Sequence, residues 1–280
     1  MEIIKWKLPT NHEIGWAACF HFGNANQHLE GIKKYIAWLR GSKNRYGFIN
    51  GDIAEAIHKN DKRYEAGQHT QLILDQYATA AKMFKPVRHK LLGANEGNHD
   101  HTIASYGCFV EKLFCEPLEI PYGTYSSKLI INDLKGRLQY KVFTTHGNGS
   151  VGSKHHDPVL RTAQEQSKVK AKLSAERMGD CLLNVIAHFH RGIIVEPVQE
   201  LYLTDDGESI RQKYADEADP RAKFIPVDLR YYLSCPGFIK KYALGSSSYG
   251  ERAGYAPLEL GFIITKAVAG KIISCKKILV

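Results

Sequence analysis

The sequence predicts an α/β (α+β) chain built from two β-sheets packed face to face, with helices on the outside. Three observations carry that reading. The first half alternates short hydrophobic strands with stretches of helical spacing, and the later part is rich in strands. Residues that seek metals also recur where the hydrophobic strands stop, about one strand-helix unit apart. The chain has 280 residues, 44% of them hydrophobic, which is enough for a substantial core and ordinary for one α/β domain. Residues 1–280 are therefore expected to form a single domain, with a loop or insertion around 204–220, where Thr204 to Pro220 is polar and charged.

The elements follow in order. Ile14 to Phe22 reads as a strand that ends in a glycine-asparagine turn. His28 to Arg40 has helical spacing through Leu29, Ile32, Tyr35, Ile36 and Leu39. Tyr46 to Asn50 is a short strand, Gln71 to Phe84 a helix, and His89 to Ala94 another strand. Tyr106 to Phe114 is expected to be helical. Tyr122 to Ile131 and Leu138 to Thr145 alternate as paired strands do. Pro158 to Met178 is polar and compatible with a helix, and Cys181 to Ala187 is a strand. Further strands are expected at Gly192 to Val198, Leu201 to Leu203, Asp228 to Leu233 and Leu260 to Ala267.

Composition removes several classes. No stretch is long and apolar enough to span a bilayer, and the opening Met1-Glu2-Ile3-Ile4-Lys5-Trp6 lacks a signal-peptide pattern. The six cysteines have no paired spacing, so they read as reduced thiols of a cytoplasmic protein, and no Cys-x-x-Cys pair suits a structural zinc knot. The formal charge of +9 suits an anionic partner, but it is spread over short clusters such as Lys33-Lys34, Lys240-Lys241 and Lys276-Lys277. A solvated surface accounts for it as well as a nucleic-acid track does.

The chemistry-bearing pieces are Cys19-Phe20-His21, Gly51-Asp52, Gly97-Asn98-His99-Asp100, His146-Gly147 and Ala187-His188-Phe189-His190. Each alone has a plain reading. Asp52 suits the cap of a helix over Ile53 to Ile57, Gly97 to Asp100 suits a tight turn, and His146 suits a polar loop. His188 and His190 are expected on one face of a strand, with Phe189 facing away. Hard oxygen and imidazole donors at successive strand ends describe one shared site for a pair of cations. Nitrogen and oxygen donors in this mixture suit manganese, iron or zinc better than calcium.

These motifs, in this order, resemble the calcineurin-like metallophosphoesterases, over about two-thirds of the sequence. The resemblance implies a four-layer α-β-β-α sandwich with two mixed β-sheets flanked by helices. It also implies two divalent metal ions and hydrolysis of a phosphoester by a metal-bridging hydroxide. Carried over by position, His21 and His190 would bind the first metal and Asp52 would bridge both. Asn98, His146 and His188 would complete the second. His99 would serve the scissile phosphate, and Asp100 would orient His99.

Two positions depart from the family pattern: Cys19 stands where its first Asp is expected, and Ala187 stands for Gly. Cys19 is either a thiolate ligand favouring a softer ion such as zinc, or a core thiol beside a weakened first site. The expected activity is that of a phosphodiesterase or nuclease on DNA, RNA or a nucleotide. The alternatives are a phosphomonoesterase, and a binding or scaffold protein whose catalysis was weakened at Cys19. The Gly147 to Gly152 loop, with Ser150, Lys154, His155 and His156, either cradles a phosphate or is a flexible surface loop.

Overall fold

The structure is a computed structural model. It describes every residue except 62, 63, 65, 69, 70, 175–177, 216 and 217, and of 66, 246 and 249 the backbone alone. The first half holds β1 (Glu2–Lys7), β2 (His12–Ala17), α1 (Leu29–Arg40), β3 (Arg45–Asn50), α2 (Ile73–Phe84), β4 (Leu91–Asn95), α3 (Asn98–His101) and α4 (Glu116–Leu118). β5 (Ser126–Asn132), β6 (Leu138–Thr145), α5 (Pro158–Ser174), β7 (Leu183–Ile186), β8 (Ile193–Val195), β9 (Glu200–Asp205) and β10 (Ile210–Ala215) follow. The chain ends with β11 (Tyr231–Ser234), β12 (Tyr242–Ala243), β13 (Ser246–Ser247), α6 (Tyr249–Arg252), β14 (Gly261–Val268) and β15 (Lys271–Leu279).

Two mixed sheets form the centre. One runs β1-β5-β6-β7-β11-β8 and the other β15-β14-β2-β3-β4. Strands β2, β3 and β4 run parallel to one another, as do β6, β7 and β11, so within each set the carboxyl ends emerge together. Period-two burial fixes which face looks inward. In β5, Ser127, Leu129 and Ile131 are buried while the residues between them are half exposed.

Three separate cores define four layers. Ile32, Tyr35 and Leu39 of α1 and Tyr77, Ala80 and Phe84 of α2 pack against the outer face of the second sheet. Those positions recur every three to four residues, as a helix requires to bury one stripe. Trp16, Phe48, Leu129, Val142, Leu183 and Ile263 fill the space between the sheets. Val169 and Leu173 of α5 cover Phe143, Ile186 and Tyr232 on the far side. Truncating a buried ring such as Trp16 to Ala removes about 3–5 kcal/mol. The four-layer α-β-β-α arrangement expected from the motifs is the one observed.

Beneath the carboxyl ends, buried amides join the two sheets. Asn50 Nδ2 of β3 donates to the Thr145 carbonyl of β6 at 2.8 Å. Asn95 Nδ2 of β4 donates to Asn50 Oδ1 at 2.9 Å, and Ser127 Oγ of β5 donates to Asn95 Oδ1 at 2.9 Å. Asn50, Asn95 and Ser127 are all fully buried.

Several elements differ from expectation. The strand expected over Ile14 to Phe22 ends at Ala17, because Cys19 and His21 take left-handed backbone. Tyr106 to Phe114 is not one helix: a 3-10 turn stops at Gly107 (φ 71°), and a π-turn then runs over Glu111–Cys115. The expected loop around 204–220 instead carries the end of an antiparallel hairpin, β9 with β10, closed by Asp206 accepting from the Ser209 amide at 2.8 Å. Residues 216 and 217 of that stretch, and 175–177 at the end of the helix expected to reach Met178, lie outside the described residues. Edge strands β1 and β15 were not expected; their lysines and largely exposed side chains hide the alternation that marks a half-buried strand.

Asn95→Ala should lower stability by about 2 kcal/mol or more, since it strands Asn50 Oδ1 and Ser127 Oγ away from water. A urea midpoint lowered at unchanged slope is the expected signature, and an unchanged midpoint would show the relay to be dispensable.

Candidate metal centre

Each candidate side chain is delivered by the turn after a parallel strand. Cys19 and His21 follow β2, Asp52 follows β3, Asn98 and His99 follow β4, His146 follows β6, and His188 and His190 follow β7. Cys19, His21, Asp52, His188 and His190 all have left-handed backbone, with φ between 49° and 70°. Non-glycine residues rarely adopt it, at about 1–3 kcal/mol each, so the strain is gathered at this end of the sandwich. His188 and His190 thus do not share a strand face, as alternation had suggested; β7 ends at Ile186. Nor does Asp52 cap a helix over 53–57, which forms none.

The turns after β2 and β3 continue as an irregular ladder. The Cys19 amide donates to the Gly51 carbonyl at 2.9 Å, His21 to Asp52 at 3.1 Å and Phe22 to Ile53 at 3.0 Å. Gly97 touches this ladder so closely that a methyl there would strike the Asp52 carboxylate and amide.

Asp52 Oδ2 lies 3.1 Å from His146 Nε2, and Asn98 Oδ1 lies 3.1 Å from the same nitrogen and 2.8 Å from His188 Nδ1. His146 Nδ1 is 2.8 Å from the Asn50 carbonyl, which only accepts, so the ring's proton sits on Nδ1. The Nε2 lone pair then faces two oxygens that are also acceptors. Either a second proton or a cation must separate them. Burial disfavours the proton, although the Asp52 carboxylate overrides it and raises the His146 pKa. Burial opposes the charge on Asp52, but His146 and His99 hold its carboxyl well below the usual range.

On the other side, His21 Nε2 lies 3.9 Å from Asp52 Oδ2 and stacks on His190, ring centroids 5.3 Å apart. His21 Nε2 and His190 Nδ1 are buried with no hydrogen-bond partner. Desolvated lone pairs of this kind are what a cation satisfies. Burial, then the neighbouring His21, holds His190 well below the ordinary imidazole value, and burial with His146 brings His188 down to about 4. Both rings are therefore neutral near pH 7, the ligating form.

Cys19, with His21 and His190, forms one trio whose donor atoms all lie within 4.8 Å of one another; Cys19, Asp52 and His146 form another, and His21, Asp52 and His99 a third. Cys19 thus lies beside these donors, just past the end of β2, and its thiol also packs in the core between the sheets. Burial, then the Asp52 charge, raises its thiol pKa well above the usual range. The donor set fits two cations that share Asp52: His21, His190 and Cys19 toward one, Asn98, His146 and His188 toward the other.

Asp100 does not orient the His99 ring. Its carboxylate accepts from the amides of Ile53 (3.0 Å), Ala54 (3.2 Å) and Gly97 (2.9 Å) and from the Tyr77 hydroxyl (2.7 Å), tying the turns after β3 and β4 together. The His99 ring is held by a residue that the sequence reading missed. Its Nδ1 lies 2.7 Å from the Glu55 carbonyl, while the Glu55 carboxylate takes His21 Nδ1 at 2.8 Å. Glu55 thus orients one candidate ligand through its side chain and the candidate acid through its backbone. Nothing in its surroundings, Ala54-Glu55-Ala56, distinguishes it from a solvated helical glutamate.

A cleft of about 830 Å³ opens over the centre, lined by His21, Glu55, Asn98, His99 and His188. The loop after His146 forms part of its wall and is fastened to α5: Lys168 Nζ donates to the Gly152 carbonyl at 2.6 Å, and Lys172 Nζ to that of Asn148 at 3.1 Å.

No family model and no curated protein matches this chain. Among solved structures, vacuolar protein sorting 29 from Cryptosporidium parvum is 11% identical, covers 96% of this chain and 99% of its own, and has a TM-score of 0.39. A protein from Streptococcus pneumoniae described as a predicted phosphoesterase is 10% identical over 96% of this chain and 98% of its own, TM-score 0.32. NAD nucleotidase from Haemophilus influenzae is 12% identical over 96% of this chain, TM-score 0.41, and this chain spans 50% of its length. Likeness this distant carries no argument about chemistry.

Glu55 makes the acid limb of stability testable. Burial pushes its carboxyl up, but the His21 hydrogen bond and charge prevail and bring it from 4.5 down to about 2. A folded value below the unfolded one means a contribution of roughly 3 kcal/mol that is present above pH 4.5 and lost as pH falls toward 2. In metal-free protein, Glu55→Gln should flatten the decline of stability across that window, followed by urea unfolding at stepped pH; an identical decline would remove Glu55 as its source.

Proposed function

We propose that this chain is a metal-dependent phosphoester hydrolase, with phosphodiesters of nucleic acid or nucleotides as its preferred substrates. One observation carries the reading: the strand-end residues singled out from the sequence converge on a single buried cluster with unpartnered imidazole nitrogens. When bound, the two divalent cations supply Lewis-acid charge against the phosphoryl oxygens and lower the pKa of a water.

The chain's own residues do the rest. Asp52 brings one carboxylate to both halves of the site, and Asn50 and Glu55 fix the tautomers of His146 and His21 through their Nδ1 atoms. His99, its Nδ1 held by the Glu55 carbonyl, delivers a proton to the departing ester oxygen. The preference for diesters of nucleotides is supported by the formal charge of +9 and by a cleft far larger than one phosphate needs.

A second reading is favoured by Cys19. A buried thiol with a raised pKa is a poor substitute for a carboxylate, and a fold that binds one ion or none would be a binding protein.

Metal analysis and a panel of aryl monoesters and diesters with added manganese, zinc or iron test both readings. Two ions per chain and metal-dependent diester turnover are expected, with His99→Ala lowering kcat about 100-fold or more and Asn98→Ala lowering metal content. A metal-replete protein that turns over no ester refutes the proposal, and faster monoester turnover moves it to a phosphomonoesterase. Cys19→Asp should raise both first-site occupancy and rate; if neither changes, the thiol does not limit the site.

A further inference from the structure

The cleft has a second electrostatic feature away from the cations' ligands. Arg191 and Lys241 both line it, and Lys240 and Lys154 continue the same lining out to exposed positions. Among the described residues of the lining, the acidic one is Glu55, already engaged by His21. Arg191 Nη1 is paired with Glu165 at 2.9 Å, whereas Lys241 has no carboxylate partner among the described residues. Its ammonium instead lies 4.4 Å from the centre of the Tyr255 ring. Burial, and then the Arg191 charge, lowers the pKa of Lys241, so the two cations feel one another inside the cleft. Two like charges held together, one without a counter-charge, leave a place where an anion is stabilised.

A single scissile phosphate beside the metal ligands does not account for that second positive site or for a volume of about 830 Å³. The lining includes half-buried Lys241 and Arg191 and exposed Lys240 and Lys154, more positive charge than a single phosphate needs. Tyr255, about half exposed, lines the same cleft and carries the Lys241 ammonium over its ring, so the aromatic and the cation stand side by side, as single-strand sites combine them.

We propose that Lys241 and Arg191 form a subsite for the phosphate next to the scissile one, and that the substrate is a single-stranded oligonucleotide. This deepens the phosphodiesterase reading and rests on it for the position of the scissile phosphate. Neither side chain touches the reacting atoms; both set which substrates are held.

Binding measured without turnover tests the subsite separately from catalysis. A fluorescein-labelled thymidine tetranucleotide is titrated with the full chain, without added divalent metal, over a series of salt concentrations. Thymidine monophosphate and thymidine triphosphate serve as competitors. The oligonucleotide should bind at least tenfold more tightly than the monophosphate. Lys241→Ala should weaken it about tenfold and reduce the slope of log affinity against log salt by about 0.7, one phosphate's share on a single strand. Lys241→Gln, which keeps a stem of similar length over Tyr255, should show the same loss, so a packing defect is told apart from a lost charge. Lys112→Ala, outside the cleft, should leave the slope unchanged.

Equal slope changes for Lys241→Ala and Lys112→Ala would reduce the effect to general surface charge and overturn the subsite. A triphosphate that competes as well as the oligonucleotide would overturn the strand and leave a compact polyphosphate. Tight, Lys241-dependent oligonucleotide binding by a chain that hydrolyses no ester with any metal would support the subsite and defeat the hydrolase reading alone.

Discussion

The centre depends on a hydrogen bond between two buried amides, Asn95 Nδ2 to Asn50 Oδ1, which lies beneath the cluster and reaches both sheets through Thr145 and Ser127. Asn50 works twice. Its side chain crosses to the opposite sheet, and its carbonyl takes the Nδ1 proton of His146, turning Nε2 toward Asp52 and Asn98. A polar relay in this position is satisfied throughout its length, and in low dielectric each of its bonds is worth more than at the surface. Without it, two apolar inner faces would still attract each other, but with little to say about their relative register.

Above that relay, backbone strain is concentrated where chemistry is expected. Of the nine non-glycine residues with positive φ among the described residues, Cys19, His21, Asp52, Ala56, His188 and His190 belong to the turns around the cluster. Each left-handed residue redirects the chain within one step, so neighbours in sequence aim at a common point, which an extended strand end cannot do. The cost is carried by three hydrophobic cores and by Asp100, whose four accepted hydrogen bonds hold the turns in place.

Much of this was legible in the sequence because donor residues at strand ends follow a fixed order. α1 and α2 were readable from apolar residues recurring every three to four positions. The inward orientation of Glu55 was not, since a glutamate between alanines has the same local signature whether it faces water or an imidazole. The aim of His188 and His190 was misread for a related reason. Alternation in a strand was extended past Ile186, and single-residue φ reversals leave no trace in residue type when glycine does not mark them. Asp100 was assigned to the neighbouring histidine by the family resemblance, whereas its carboxylate takes the Gly97 amide three residues back and groups 23, 46 and 47 residues away.

The four-layer construction has one further consequence. Cys19, His21, Asp52 and Asn98 follow strands of one sheet, and His146, His188 and His190 strands of the other, so each proposed donor set draws on both sheets. The span between donors on opposite sheets thus depends on the thickness of the sandwich filling, on Trp16, Phe48, Leu129 and Val142, as well as on the turns that carry the donors. A residue swapped deep in that filling acts on the site as a shim acts on a bearing, altering how far apart the facing donors stand without touching any of them.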